Sequence, residues 1–508
     1  MKFNLKLFNK NKTVNYENAV AYQMDAKTEL YSAVVTTSLN DKFYEGTDAR
    51  MKTIRDLMTK VDAEYTAKLA VYAREKMYLR SVPLVLAVEM AKLNSGKTVV
   101  SKTVNKVVKR ADEITELLAY YQMANERKDL KKLNKLSKQV QKGLAEAFNK
   151  FDEYQFSKYN RDAEVKLKDA LFLVHPKAKD EAQQALFDKI AKDELSTAYT
   201  WETELSALGQ ESFENADAKA DAKKEKWEEL IMSGKLGYMA MLRNLRNILE
   251  AKVSDEALQK VCDYIGDEKA VANAKQLPFR YLSAYRELKT VNSGGVAKVL
   301  TALEKAVLYT AANIKAFDAK TSIVIACDVS SSMQKAISAK SKILNYDIGL
   351  MLAMLLQNRS KNVITGMFGD TWKVVNMPQT SILANVDAFY KREGEVGYST
   401  NGYKVIEDLI KRKGVVDKVM MFTDCQMYDS NHAANMQKSV SAVWDEYKRI
   451  APNAKLYLFD LAGYGTTPLD IRRKDVYLIA GWSDKIFEVL AAIENGSNAV
   501  AEIEKIEL

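Results

Sequence analysis

At 508 residues the chain exceeds one ordinary core and predicts two or three domains; 47% apolar and 28% charged side chains exclude a disordered chain. Twenty glycines and six prolines argue against turn-rich β architecture, and no stretch approaches the ~20 apolar residues of a membrane span. The formal charge of +9 is uneven: residues 320–508 hold 23 Lys/Arg against 22 Asp/Glu, so +8 falls in residues 1–319.

The start, Met1-Lys2-Phe3-Asn4, has neither the apolar core nor the small-residue cleavage site of a secretory signal. Three widely spaced cysteines, Cys262, Cys327 and Cys425, make neither a disulfide framework nor a CxxC metal site. Together these features predict a protein of the reducing cytoplasm.

From about residue 30 to 316, apolar residues recur at helical spacing between short polar breaks. Leu69, Tyr72, Ala73, Lys76 and Met77 follow i, i+3, i+4; the pattern breaks at Pro83 and resumes through Val85, Val88, Glu89 and Lys92. Further helices are predicted over 111–123, 130–148, 163–174, 180–195, 227–249, 255–265, 277–288 and 295–316. Residues 213–226, rich in Ala, Asp and Lys, read as a solvated loop or an exposed helical spacer. Many helices with short connections and no strand signal predict an α-solenoid or irregular helical array, with any repeats degenerate. Within it, residues 97–150 carry 13 basic and 6 acidic side chains. A localised basic surface attracts polyanions through counterion release, although a Lys-rich stretch is also an ordinary solvated helix face.

The pattern changes at Lys320. Residues 322–327 (SIVIAC) are a short apolar run, as in a strand buried on both faces. A helix over 336–357, strands over 362–368 and 372–377, a helix over 403–413 and a strand over 418–422 follow. Then come a helix over 433–449, strands over 455–460 and 475–479, and a helix over 485–495. Strands alternating with helices predict a doubly wound parallel sheet, with a domain boundary near residue 320.

At the carboxyl end of the first of these strands stands Asp328-Val329-Ser330-Ser331-Ser332, a DxSxS pattern, where open α/β sheets place ligands. One carboxylate and two hydroxyls, each two residues apart, can face a hard cation, and a sparse oxygen set with retained waters suits Mg²⁺. Thr400 in YSTNG and Asp424 after the strand 418–422 offer further oxygens. DxSxS by itself would arise in about one chain in ten of this length; the serines could simply cap a helix and Asp424 could be a turn residue. The conjunction is what carries weight: this region resembles a von Willebrand A domain, whose metal-ion-dependent adhesion site matches Asp328, Ser330 and Ser332, then Thr400, then Asp424. The resemblance implies a bound divalent ion, Mg²⁺ above others. Tyr398-Ser399 stands where many relatives have two glycines, and Cys425 follows Asp424; a lone Cys beside an Asp is not a catalytic dyad.

Four segments of the first half resemble the TROVE module of the Ro autoantigen and its bacterial counterparts. They are LAVYAREKMYLRSVPLVLAVEM (69–90), KYNRDAEVKLKDALFLVHPK (158–177), KLGYMAMLRNLRNIL (235–249) and QLPFRYLSAY (276–285), in the family's order. The resemblance implies a ring of HEAT-like helical repeats closed by the A domain. It also implies that misfolded small RNAs thread a single-stranded end into the ring and that Y RNAs bind outside it. By the family's motif Lys158 and His175 align with RNA-contacting positions, and a second basic position falls at Arg161 or, with a one-residue shift, at Asp162. His175 before Pro176 lies at a helix end, where it can meet a phosphate or base, or bond a carbonyl. Arg243 and Arg246, three apart opposite Met241, Leu245 and Leu249, could line the ring's hole or be salt-bridged to neighbouring helices. Arg74 and Arg80 read as structural.

These features predict a non-enzymatic RNA-binding protein, a scaffold or quality-control ribonucleoprotein for small structured or misfolded non-coding RNA, and a monomer. The alternative is a metal-dependent protein-interaction adaptor acting through the A domain, and both hold if it brings RNA to a protein partner such as a nuclease. There is no GxGxxG, P-loop lysine or HExxH.

Overall fold

The computed structural model describes residues 11–37, 49–127, 135–160, 163–312, 314–315, 317–337, 341–432 and 437–508. Contacts group the chain into two compact units. One comprises Met1–Thr37, Ile265–Thr290 and Val296–Glu502; the other comprises Ser38–Tyr264, Val291–Gly295 and Ile503–Leu508.

In the helical unit several helices pack on the next or the next but one. Ala63–Glu75 meets Ser81–Leu93 and Thr98–Val107; Ser81–Leu93 meets Asp112–Ala124; Thr98–Val107 meets Lys138–Phe148. This progressive stacking is how helical repeats share one continuous core. Local chemistry sets the starts: Asp62, Asp152, Asp180 and Asn215 each accept a backbone N–H from the first turn of the helix that follows. At Gly143 a Cβ would lie 2.6 Å from Ser101 O and 2.7 Å from Val104 Cβ, so glycine lets helix Lys138–Phe148 approach helix Thr98–Val107.

Three readings of the helical sequence are refined. Pro83 does not break a helix; it is the third residue of Ser81–Leu93, where a missing N–H costs nothing, and the break falls before it. The helix predicted over 227–249 is two helices, Ala216–Met232 and Tyr238–Glu250, parted where Gly234 takes φ +67°. Residues 216–226 are thus helical and mostly exposed. Helix Trp201–Gln210, not among the predicted helices, has no fully buried residue; Trp201 stacks on Trp227, and a capping box of Thr200 and Thr203 starts the helix.

The α/β unit begins with a hairpin, β1 (Lys12–Val14) and β2 (Val20–Gln23). Its main sheet uses β3 (Ser322–Asp328), β4 (Asn362–Phe368), β5 (Trp372–Val374), β6 (Lys418–Thr423), β7 (Lys455–Asp460) and β9 (Val476–Ala480). The order is β5-β4-β3-β6-β7-β9, parallel throughout except for the edge strand β5. β8 (Thr466–Thr467) pairs with β2, giving a small antiparallel sheet β1-β2-β8. From β3 the chain winds to β4 on one side and β6 on the other, so the carboxyl end of β3 is a topological switch point.

Helices Phe279–Leu288 and Val296–Ala312 pack with this unit, because Arg286 pairs with Asp347 at 2.6 Å and Glu304 accepts the backbone N–H groups of Ile382 and Leu383. That distant cap explains helix Leu383–Tyr390, which has no local start signal. The helix predicted over 336–357 is instead a 3₁₀ turn, Ser331–Gln334, and a helix, Asn345–Arg359. Among the described residues no helix is long and apolar enough to cross a membrane.

Candidate metal centre and nucleic-acid interface

Asp328 ends β3 and is 1% exposed. Its Oδ1 accepts the Ser330 N–H at 2.9 Å and its Oδ2 accepts the Thr423 hydroxyl at 2.6 Å. The Ser330 and Ser332 hydroxyl oxygens lie 3.2 Å apart. Backbone bonds tie the three loops together: Ser331 N–H donates to Tyr398 O at 3.0 Å, and Tyr428 N–H donates to Thr400 O at 3.2 Å. Thr400 is buried. Asp424 follows β6, fully buried; its Oδ1 accepts the Gln426 N–H at 3.0 Å, while Oδ2 is buried with no hydrogen-bond partner.

The electrostatics are those of an uncompensated site. Burial, then the charge of Asp424, pushes the Asp328 carboxyl up to about 7, against hydrogen bonds from Ser330 and Thr423. Burial also raises Asp424; Ser332 and the Gln426 N–H hold it down, and Asp460 and Glu17 push it further up. Among the described residues no three His, Cys, Asp or Glu side chains gather as a metal cage. The oxygens here are those of two carboxylates and of the Ser330 and Ser332 hydroxyls, with Thr400 buried on the adjoining loop and one carboxylate oxygen without a hydrogen-bond partner. A hard divalent cation is the ligand that such a set fits, since it neutralises both charges and tolerates retained waters.

The two departures in the loops are benign for such an ion. Tyr398 contributes its carbonyl and carries its ring outward, 45% exposed. Cys425 is buried at φ +65°, and burial with the surrounding carboxylates raises its thiol well above the usual range. Sequence reasoning missed the supports. Thr423 holds Asp328; Asn401, buried, bonds Ser430 from both ends of its amide; Asp429 accepts Tyr403 OH at 2.9 Å and pairs with His432 at 2.7 Å. Asp460 accepts Ser32 Oγ at 2.6 Å. None belongs to a short motif, and Ser32 lies more than four hundred residues from its partner.

On the helical unit, Lys158 sits in the last turn of Glu153–Tyr159, a helix started by a capping box of Asp152 and Gln155. Its Nζ lies 5.6 Å from the ring centre of Tyr154 and 5.5 Å from that of Tyr159, and the Arg110 guanidinium covers Tyr159 at 4.4 Å. Tyr154 is exposed. Arg161 lies outside the described residues. His175 caps Leu167–Val174 in the left-handed region, its N–H donating to Leu171 O at 2.9 Å and its side chain exposed. Arg243 and Arg246 occupy the exposed side of Tyr238–Glu250, with Met241, Leu245 and Leu249 buried opposite. Arg246 pairs within its own helix with Glu250 at 2.9 Å. Lys158, His175 and the pair Arg243/Arg246 thus stand on three separate helices.

Arg74 and Arg80 are structural. Arg74 pairs at 2.7 Å with Glu113, whose side chain is fully buried, and Arg80 bonds Asp112 and Glu116. Burial raises the Glu113 carboxyl, and the charge of Arg74 lowers it.

The profile of the TROVE domain matches residues 11–208 and 195–344 of the chain. The telomerase protein component 1 of Rattus norvegicus is 23% identical over 338 residues, 51% of this chain and 12% of that protein. Its Mus musculus counterpart is 42% identical over 86 residues, 17% of this chain and 3% of that protein. The chain therefore spans only a small part of the curated relatives that it matches. The crystal structure of the Deinococcus radiodurans Ro (RSR) protein superposes with a TM-score of 0.58, at 16% identity, over 92% of this chain and 99% of that one. This likeness is one of fold, and it extends through both the helical and the α/β parts.

Proposed function

The chain belongs to the TROVE-domain family, and on that premise we propose that it binds RNA through its helical unit, without catalysing a reaction. The observation that carries this reading is the cluster of Lys158, Tyr154, Tyr159 and Arg110, within the family-matched region and next to the basic stretch 97–150. Half-buried cations beside one exposed ring, Tyr154, suit an unpaired nucleotide: the charges meet phosphates and the ring accepts a base of any sequence. The proposed RNA is a small non-coding one, Y-RNA-like or misfolded, with a single-stranded 3′ end, and the proposed setting is a cytoplasmic, monomeric ribonucleoprotein. His175, Arg161, Arg243 and Arg246 are further contacts in this reading.

Fluorescence anisotropy of a hairpin RNA bearing a single-stranded 3′ tail, titrated over salt, tests it. Tight binding with a steep inverse salt dependence is expected. Failure to bind at low salt contradicts it.

A second reading is supported by the orphaned Asp424 oxygen. Asp328, Ser330, Ser332, Thr400 and Asp424 would hold Mg²⁺, and the bound ion would supply a positive point that accepts an acidic side chain of a protein partner, such as a nuclease. Loss of partner capture on Asp328→Ala or on chelation, with RNA binding intact, is the result that this reading expects.

A further inference from the structure

At the end of the sheet remote from Asp328 and Asp424, β6 and β7 each begin with a lysine, and Lys418 and Lys455 are paired in register. Like charges opposite one another on neighbouring strands repel, and Lys418 is in addition buried, at 6% exposure. Glu494, the last residue of helix Ile486–Glu494, answers both. Its carboxylate lies 2.6 Å from the Lys418 ammonium and 3.6 Å from that of Lys455, and it accepts the Tyr457 hydroxyl. The Lys418 ammonium also stands 5.1 Å from the ring centre of Phe317 and 5.5 Å from that of Tyr457.

Lys418, Lys455 and Glu494 line a cavity of about 490 Å³, a size that holds a small organic molecule. Ile314, Phe317, Phe487 and Leu490 supply its apolar surface. Its polar side is lopsided in hydrogen-bonding capacity. The acids are answered: Glu494 as described, Asp417 by the N–H and hydroxyl of Ser322 at 2.7 and 2.8 Å, and Asp318 by the Lys320 N–H at 2.8 Å. The donors are not. Lys455 reaches no acid closer than Glu494, and the side chains of Lys315, Asn453 and Asn495, all exposed, donate to no protein oxygen among the described residues. The complement of such a cavity is an acceptor carried on an apolar body.

We propose that this cavity binds a small carboxylate with an aryl or branched alkyl body. The carboxylate meets Lys455, Lys315 and the two asparagine amides, and the body lies on Phe317, Phe487 and Leu490. Glu494 holds Lys418 and leaves Lys455 the mobile cation of the pair. Binding here requires neither RNA nor a metal ion.

The test is ¹⁹F NMR of 4-(trifluoromethyl)benzoate titrated with the full chain. A dissociation constant on the order of 0.1–1 mM is expected for a body of this size. The benzamide of the same body lacks the charge and should bind about tenfold more weakly. Lys455→Ala should weaken the benzoate about three- to tenfold, and less so in ~1 M salt. Asn453→Asp, at an exposed position, should weaken it similarly by setting a like charge beside the carboxylate. Ala491→Trp, which fills the cavity from helix Ile486–Glu494, should abolish binding; thermal unfolding of each variant checks that it folds. The proposal is overturned if the benzoate does not bind, or if the benzamide binds as tightly. It is equally overturned if the folded Lys455→Ala and Asn453→Asp proteins bind the benzoate as wild type does.

Discussion

The two units bury charge in opposite ways. In the helical unit the buried carboxylate of Glu113 is answered by Arg74 at 2.7 Å and by the N–H groups of Lys109 and Arg110, while of the residues proposed to contact RNA His175, Arg243 and Arg246 are exposed and Lys158 is half-buried. In the α/β unit Asp328 and Asp424 are both buried and their charges oppose one another, and one Asp424 oxygen has no hydrogen-bond donor. A paired buried charge is part of the scaffold. A pair of like buried charges marks a place where something else belongs. An exposed cation beside a tyrosine specifies no geometry, so its contribution to binding accumulates with the number of such contacts.

The sharpest way to break this contrast is to remove one partner in each unit. Arg74→Ala leaves Glu113 ionised and buried, and should cost about 3–5 kcal/mol in a urea-unfolding experiment. A loss below ~1 kcal/mol would mean that water replaces the guanidinium and that the pair is not structural. Asp424→Asn should act in the other direction: in metal-free buffer it relieves the repulsion on Asp328 and should stabilise the protein by about 1–2 kcal/mol. The same substitution should abolish the stabilisation that added Mg²⁺ gives the wild type. A destabilised metal-free Asp424→Asn protein would show that the carboxylate serves the fold. The smallest effect is expected at Arg246. Its pairing with Glu250 is an exposed i,i+4 contact, so Arg246→Ala should change stability by less than about 0.5 kcal/mol, and any larger effect on RNA affinity reports contact with RNA.

Much of this was legible in the sequence because it is local. The run 322–327 reads as a buried strand and is the core of β3, and DxSxS falls at its carboxyl end, where the sheet's winding reverses. Helix periodicity marked most of the helices, since an apolar stripe is itself the packing face. What was not legible is non-local or has no stripe. Helix Trp201–Gln210 is only half-buried along one side, helix Leu383–Tyr390 is capped by Glu304 from another helix, and the hairpin of β1 and β2 docks some four hundred residues away. The supports of Asp328, chiefly Thr423, lie on a neighbouring strand and obey no spacing rule. His175 was legible only as a helix-end residue; its left-handed backbone is that of the cap ending helix Leu167–Val174.

In the proposed function RNA is bound by the helical unit and a divalent ion by the α/β unit. The most direct test measures RNA affinity over salt and Mg²⁺ affinity on the same two proteins, Lys158→Ala combined with His175→Ala, and Asp328→Ala. A crossed outcome is expected. The first protein loses RNA affinity, its salt slope falling by roughly one to two units, and keeps its Mg²⁺. The second loses Mg²⁺ and binds RNA as wild type does. If Asp328→Ala lowers RNA affinity as much as the double variant, or the double variant binds RNA unchanged, the division of labour is wrong.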